Sequence, residues 1–253
     1  MKEPRILFLA QKPLGDACFE VLNKSKLGAG VKAIASNKTK DNWWRSSHLY
    51  DYCCEKNVKF IDNSVRNEDE LLRVIKDFEI NTLISVQHSW VLSGEILKAV
   101  DYFAFNLHNA KIPDYKGYNT YNHAILNGER DYYSTIHWII DEVDMGEIAF
   151  EKSVAIDENT TAKSLIENAN QTAIEVFENL IRTLEEGRLP MKKKIAGKGK
   201  FYSRNSLEKF REIIDVNDFD EVDRKSRAFY NPPFESAYFK LNGIKFHVEK
   251  ETV

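Results

Sequence analysis

A doubly wound α/β domain on a mostly parallel sheet, with a small C-terminal region, is the fold this 253-residue chain predicts. Three observations carry that reading. Short apolar strand-like runs alternate with helix-like runs through the first 108 residues. A long amphipathic helix begins near residue 160. A basic stretch bearing proline and glycine, "LPMKKKIAGKGK" (189–200), then divides a main domain, 1–188, from a tail, 189–253.

The elements follow in order. "RILFLA" (5–10) reads as a buried strand, "GDACFEVLNKS" (15–25) as a helix and "VKAIAS" (31–36) as the second strand. "SHLYDYCCEKN" (47–57) is helical and "VKFI" (58–61) a short strand. "NEDELLRVIKDF" (67–78) opens with acids that favour a helix N-terminus and spaces Leu71, Leu72, Ile75 and Phe78 as a helix does. "NTLISVQ" (81–87) and "FAFNLH" (103–108) are strands around the helix "SGEILKAV" (93–100). "YNTYNHAILNG" is a helix closed by Gly128. In "STIHWII" (134–140), Thr135, His137 and Ile139 share one side of a strand. "EIAFEKSVAI" (147–156) extends the sheet, and a helix runs from about Thr160 to Glu186. In the tail, two short helical stretches precede a hairpin turning at Asn242–Gly243.

Composition narrows the function. Apolar residues make up 43% and charged residues 30%, as in a soluble globular protein. A net charge of −3 advertises no basic surface for nucleic acid. No apolar run reaches the roughly 20 residues of a membrane helix, and the N-terminus runs straight into a strand, so no signal peptide is expected and the cytoplasm is the natural compartment. Cys18, Cys53 and Cys54 form neither a disulfide framework nor a zinc spacing. The "MKKK" run reads as a solvated linker. The short tail and its strand edges suggest a homodimer.

In an open α/β sheet the ligand crevice lies at the carboxyl ends of the strands. Asn106 and His108 sit at such an end, on one face of their strand, before a loop shaped by Pro113 and Gly117. Asp144, in "DEVDMGEI" (141–148), follows the strand bearing His137 and can fold back over the same crevice. Amide, imidazole and carboxylate together suit acyl transfer to an amine. Asn106 can donate to an oxyanion, His108 can stabilise that charge or move a proton, and Asp144 can orient the imidazole and take the amine's proton. His137 reads as a supporting or a core residue. A metal site from His108, His137 and Asp144 matches no dedicated ligand spacing, so no metal is expected.

"FNLHNAKIPDYKG" followed by "TIHWIIDEVDMGEI" resembles the folate-dependent formyltransferase family, with its Asn-x-His, Leu-Pro-x-x-(Arg/Lys)-Gly, Thr-x-His and Asp-x-Gly-x-Ile motifs. The resemblance spans about residues 1–188. It implies a Rossmann-like core, N10-formyltetrahydrofolate as co-substrate, and a catalytic set at Asn106, His108 and Asp144. Two departures stand out: the family's Ser-Leu-Leu-Pro is Ala110-Lys111-Ile112-Pro113, and its usual Arg is Lys116. "SVQHSWVLS" (85–93), "AFYNPPFESAY" (228–238) and the short tail resemble the branch that formylates nucleotide-linked amino sugars for surface polysaccharide. A dTDP-linked amino-dideoxyhexose, first dTDP-4-amino-4,6-dideoxyglucose, is the implied acceptor; 3-amino isomers, another amine such as aminoacyl-tRNA, and folate binding without turnover are the alternatives. The family's pterin site maps onto Gln87, His88, Trp90 and Leu92, with the loop Asp141, Glu142, Val143 and Asp144. Lys12 and Tyr230 are candidates for the sugar nucleotide, a lysine meeting pyrophosphate and an aromatic stacking on thymine. Trp43, Trp44 and Arg45 read as a substrate rim or as packing residues.

Overall fold

The computed structural model describes residues 3–38 and 48–248; Trp43, Trp44 and Arg45 lie outside them. In chain order the elements are β1 (Ile6–Ala10), α1 (Lys12–Lys24), β2 (Val31–Ser36), α2 (His48–Lys56), β3 (Lys59–Asp62), α3 (Glu68–Asp77), β4 (Thr82–Val86), α4 (Gly94–Ala99) and β5 (Ala104–His108). They continue with β6 (Lys116–Gly117), α5 (Thr120–Leu126), β7 (Asp131–Trp138), β8 (Ile148–Ala155), α6 (Ala162–Glu185), β9 (Phe201–Tyr202), α7 (Phe219–Phe229), β10 (Ala237–Leu241) and β11 (Ile244–Val248).

Seven strands form one sheet in the order β3-β2-β1-β4-β5-β7-β8. Neighbours from β3 to β5 run parallel, and β7 runs antiparallel to β5. β1 explains why helices cover both faces. Its residues are all buried, with Ile6, Phe8 and Ala10 in one apolar cluster and Leu7 and Leu9 in another. The first cluster takes in Cys18, Phe19 and Leu22 of α1 and Val176, Phe177 and Leu180 of α6; the second takes in Leu71, Val74 and Ile75 of α3 and Ile96 and Leu97 of α4. A strand apolar on both sides can only be satisfied this way. This is the doubly wound, Rossmann-like architecture expected from the alternation.

Local chemistry sets the ends. Asn67 caps α3 by accepting from the Glu70 amide at 3.1 Å. α1 begins at Lys12, three residues before its apolar pattern, because Pro13 is suited to a first helical turn. The hairpin turns through Asn242 at φ 49° and Gly243 at φ 80°, both left-handed as a two-residue turn requires.

Packing divides the chain into two compact units. One comprises Met1–His108, Thr135–Glu151 and Ala173–Ala196; the other comprises Asn109–Ser134, Lys152–Thr172 and Gly197–Val253. The tail from Gly197 thus packs with two earlier segments, which a single cut after residue 188 would sever. Within the second unit β9 pairs with β6, Lys116 opposite Phe201 and Gly117 opposite Tyr202. Its core gathers Tyr115, Ala124, Ile125, Tyr132, Leu165, Phe229 and Ala237. A buried polar network centres on Asn109, whose Nδ2 donates to Tyr121 Oη and Asn170 Oδ1, each at 2.9 Å.

Candidate active site

Asn106 and His108 are the two half-buried residues of β5, while Phe105 and Leu107 between them point into the core. The antiparallel β7 lays His137 opposite Asn106 and Thr135 opposite His108. Strand periodicity then puts all four side chains on one face. β4 contributes Ser85, level with Asn106 in the parallel register.

Asp144 reaches this face through a tight return of the chain. Gly146 passes so close to β7 that a Cβ there would collide with the Trp138 carbonyl, and the Trp138 amide donates to the Glu147 carbonyl at 2.9 Å. Asp144 itself holds a left-handed φ of 50°. Gln87 and Lys12, at the ends of β4 and β1, are left-handed too, at 56° and 63°. Non-glycine residues pay on the order of 1 kcal/mol for this conformation, and such strain gathers at functional sites.

The side chains converge. His108 Nε2 lies 3.8 Å from Asp144 Oδ2, and His137 Nε2 lies 3.5 Å from Asp144 Oδ1. His137 Nε2 is also 3.1 Å from Asn106 Nδ2. His137 Nδ1 sits 2.9 Å from the Trp138 carbonyl oxygen, which can only accept, so Nδ1 carries the proton. In the neutral ring Nε2 therefore accepts from the Asn106 amide. Ser85 Oγ donates to Asn106 Oδ1 at 2.9 Å, fixing the amide from its other end. One Asn106 N–H is spent on His137 and the second can meet a substrate oxygen. Asp144 and His137 are buried, which strengthens every polar interaction made there.

The sequence singles out Asn106, His108 and Asp144 but not Ser85, and leaves His137 undecided between a supporting and a core role. The structure places His137 in contact with two of the three. Among the described residues no group of three or more His, Cys, Asp or Glu side chains is arranged to hold a metal.

Gln87, His88, Trp90 and Leu92 lie on the segment leaving β4 in the same unit. Asn63 Nδ2 donates to His88 Nδ1 at 2.7 Å, which leaves the proton on Nε2. That His88 Nε2–H and the indole Nε1–H of Trp90 are buried donors with no acceptor among the described residues. The two rings meet edge to face, 4.5 Å between centroids. Asp141 and Glu142 are exposed and Val143 half-buried. Asp141 Oδ1 crowds the N-terminus of α4, 2.9 Å from where a Cβ on Gly94 would stand. Lys12 is half-buried at the start of α1, beside Gln11, whose Nε2 donates to Asn37 Oδ1 and Ser89 Oγ, each at 3.1 Å. Tyr230 belongs to the second unit, half-buried at the end of α7, its carbonyl accepting from the Lys163 amide at 3.0 Å.

Burial pushes the His88 pKa down to about 3. Burial, then the Lys200 and Lys209 cations, bring His123 in the second unit to about 4. Both are neutral in the folded protein near pH 6, where the unfolded chain begins to protonate its histidines. Their stabilisation is complete above about pH 6.5 and fades as pH falls, each adding a slope that approaches 1.4 kcal/mol per pH unit. Urea unfolding between about pH 7 and 5, above the main carboxylate titration, should show that decline; a flat profile would refute the neutral assignment.

Comparison with known proteins follows this geometry. The formyl transferase family pattern matches residues 4–181. A GDP-perosamine N-formyltransferase of Brucella melitensis is 27% identical over 227 residues, covering 88% of this chain and 85% of that protein. Among solved structures, an N-formyltransferase from Helicobacter canadensis in complex with folinic acid and dTDP-3-aminofucose superposes with a TM-score of 0.76 at 20% identity, over 96% of this chain and 86% of its own. A 4-N formyltransferase from Francisella tularensis gives 0.75 at 17% identity, over 98% and 99%. The structural likenesses speak for the fold, and the family match spans most of the chain, including β5, β7 and the Asp144 loop. This chain belongs to the formyl transferase family.

Proposed function

We propose that the protein transfers a formyl group from N10-formyltetrahydrofolate to the amine of a nucleotide-linked amino-dideoxy sugar, with dTDP-4-amino-4,6-dideoxyglucose the first acceptor to test. The observation that carries this is the meeting of Asn106, His108, His137 and Asp144 at the carboxyl end of the sheet. The folate supplies an activated formyl carbonyl on nitrogen. The free N–H of Asn106 faces the oxygen on which negative charge develops, held in place by Ser85 and His137. His108 lends a proton or a positive field to that oxygen, and Asp144 orients the imidazole and receives the proton the attacking amine sheds. The tetrahedral intermediate then collapses, the formyl C–N10 bond breaks, and the departing N10 takes up that proton. No serine or cysteine nucleophile is required.

The residues after β4 fit the folate. His88 and Trp90 offer two buried N–H donors that lack acceptors among the described residues, and a pterin or its benzoyl amide is rich in them. The sugar nucleotide reading draws on the named relatives, which act on GDP-perosamine or were solved with dTDP-3-aminofucose. The test is a panel of dTDP- and GDP-linked 3-amino and 4-amino dideoxyhexoses with the folate donor, read by mass for one added formyl group. Formyl gain on none of them, with the folate bound, would refute the reading. We also propose that a second copy covers the hairpin β10–β11, where Leu241, Ile244 and Phe246 are exposed. Sedimentation as a 29.3 kDa monomer would refute that pairing.

A further inference from the structure

Buried N–H donors that meet no acceptor need something to hold them. Among the described residues His88 Nε2–H and Trp90 Nε1–H are such donors, two positions apart on the segment leaving β4. An unmade buried bond is costly, so a loop left to itself turns its rings until such groups are satisfied.

Gln11 and Asn63 prevent that turning. Gln11 directly follows β1 and Asn63 directly follows β3; with β4 these strands are parallel, so both residues stand at the end of the sheet where the 87–90 segment begins. Their backbones are tied into the sheet. The Gln11 amide donates to the Val86 carbonyl at 3.2 Å, and the Asn63 amide to the Ser36 carbonyl at 2.9 Å. Both residues are buried, and both side chains reach the segment. Asn63 Nδ2 donates to His88 Nδ1 at 2.7 Å. Gln11 Nε2 donates to Ser89 Oγ and to Asn37 Oδ1, each at 3.1 Å, which ties the segment to the end of β2 as well. Trp90 is held from two directions. The His88 ring meets it edge to face, and the Arg66 guanidinium, bonded to Glu68 at 2.8 Å, lies 5.6 Å from its ring centre.

Asn63 also decides what His88 can read. Burial keeps that ring neutral, and a neutral imidazole carries a single proton. Because Nδ1 accepts from Asn63, the proton sits on Nε2, and His88 can only donate there.

We propose that Asn63 and Gln11 are positioning residues of the folate site, clamping His88 and Ser89 so that the His88 and Trp90 N–H groups stand ready for a ligand edge that presents acceptors. The inference rests on the folate reading above and names what pre-organises it. Order built into the protein need not be imposed by the ligand, so the clamp acts on affinity rather than on the chemistry at Asn106.

The test pairs a binding readout with a spectroscopic one. Folinic acid is titrated by calorimetry into the intact protein and into Asn63→Leu and Gln11→Met, which keep side-chain size and remove the amides. Each variant should bind it about tenfold more weakly. With N10-formyltetrahydrofolate and the amino sugar, KM for the folate should rise by a similar factor while kcat stays within about threefold, a split that general loosening of the fold would not give. The His88 ring is followed by long-range proton–nitrogen correlation near pH 7, its signals identified by their loss in His88→Phe. The parent should carry the proton on Nε2, and Asn63→Leu should show both tautomers in exchange. If Asn63→Leu does not fold, Gln11→Met carries the affinity test. A parent His88 protonated on Nδ1, or unchanged folinic acid affinity in the folded variants, overturns the clamp. A parent with the Nε2 tautomer that binds no folate would instead overturn the folate reading and leave the clamp standing.

Discussion

Replacing Asp144 by asparagine is expected to cut formyl transfer about a thousandfold, within the range for loss of a general acid–base group, while the protein stays folded. Asparagine keeps the shape and removes the charge. His108 and His137 would each then face a neutral amide across the present 3.8 and 3.5 Å separations. His108 would lose the carboxylate that orients and polarises it, while His137 keeps its bonds to Asn106 and the Trp138 carbonyl, and the proton leaving the amine would lose its acceptor. His108→Ala should fall comparably. Asn106→Ala should cost about 10² to 10³, as loss of an oxyanion donor does, and would also unpair Ser85 and His137. Single-turnover rates with saturating folate, alongside circular dichroism, check the series. An Asp144→Asn enzyme within tenfold of the parent would remove the carboxylate from the chemistry.

The second large effect is expected at a residue with no functional group. Gly146→Ala puts a methyl against the Trp138 carbonyl, with His137 Nδ1 3.2 Å away. The chain cannot shift without breaking the Trp138 amide bond to Glu147 or moving the strand that carries His137. Overpacking of this kind costs about 3 kcal/mol, which for a protein of this length lowers the melting temperature by roughly 10 °C. Turnover should fall as well, because the displaced loop is the one that delivers Asp144. Thermal melts with kinetics test this. A variant that melts and turns over like the parent would mean the loop closes by another route.

Those two cases mark what was readable beforehand. Asn106, His108 and Asp144 lie in short motifs whose spacing is local, so the letters expose them. Strand alternation assigned Thr135 and His137 to one side, yet it does not say which neighbour they meet. That depends on β7 pairing antiparallel with β5, a contact between residues about thirty apart. Ser85 was invisible for the same reason, since its bond to Asn106 follows from the β4–β5 register. β6 and β9 have two residues each, too few for any periodicity, so the stretch before Tyr202 reads as linker although it pairs. α1 starts ahead of its apolar pattern because proline and a left-handed Lys12 begin it.

The interleaving of the two units has a consequence for synthesis on the ribosome. The sheet face that α1 and α6 share stays half covered until Val176, Phe177 and Leu180 of α6 have emerged, long after β5 and its asparagine and histidine have been made. A nascent chain halted near residue 150 would hold every side chain of the proposed catalytic set yet lack the greasy cover beneath them. Such a fragment is a client for chaperones rather than a smaller enzyme.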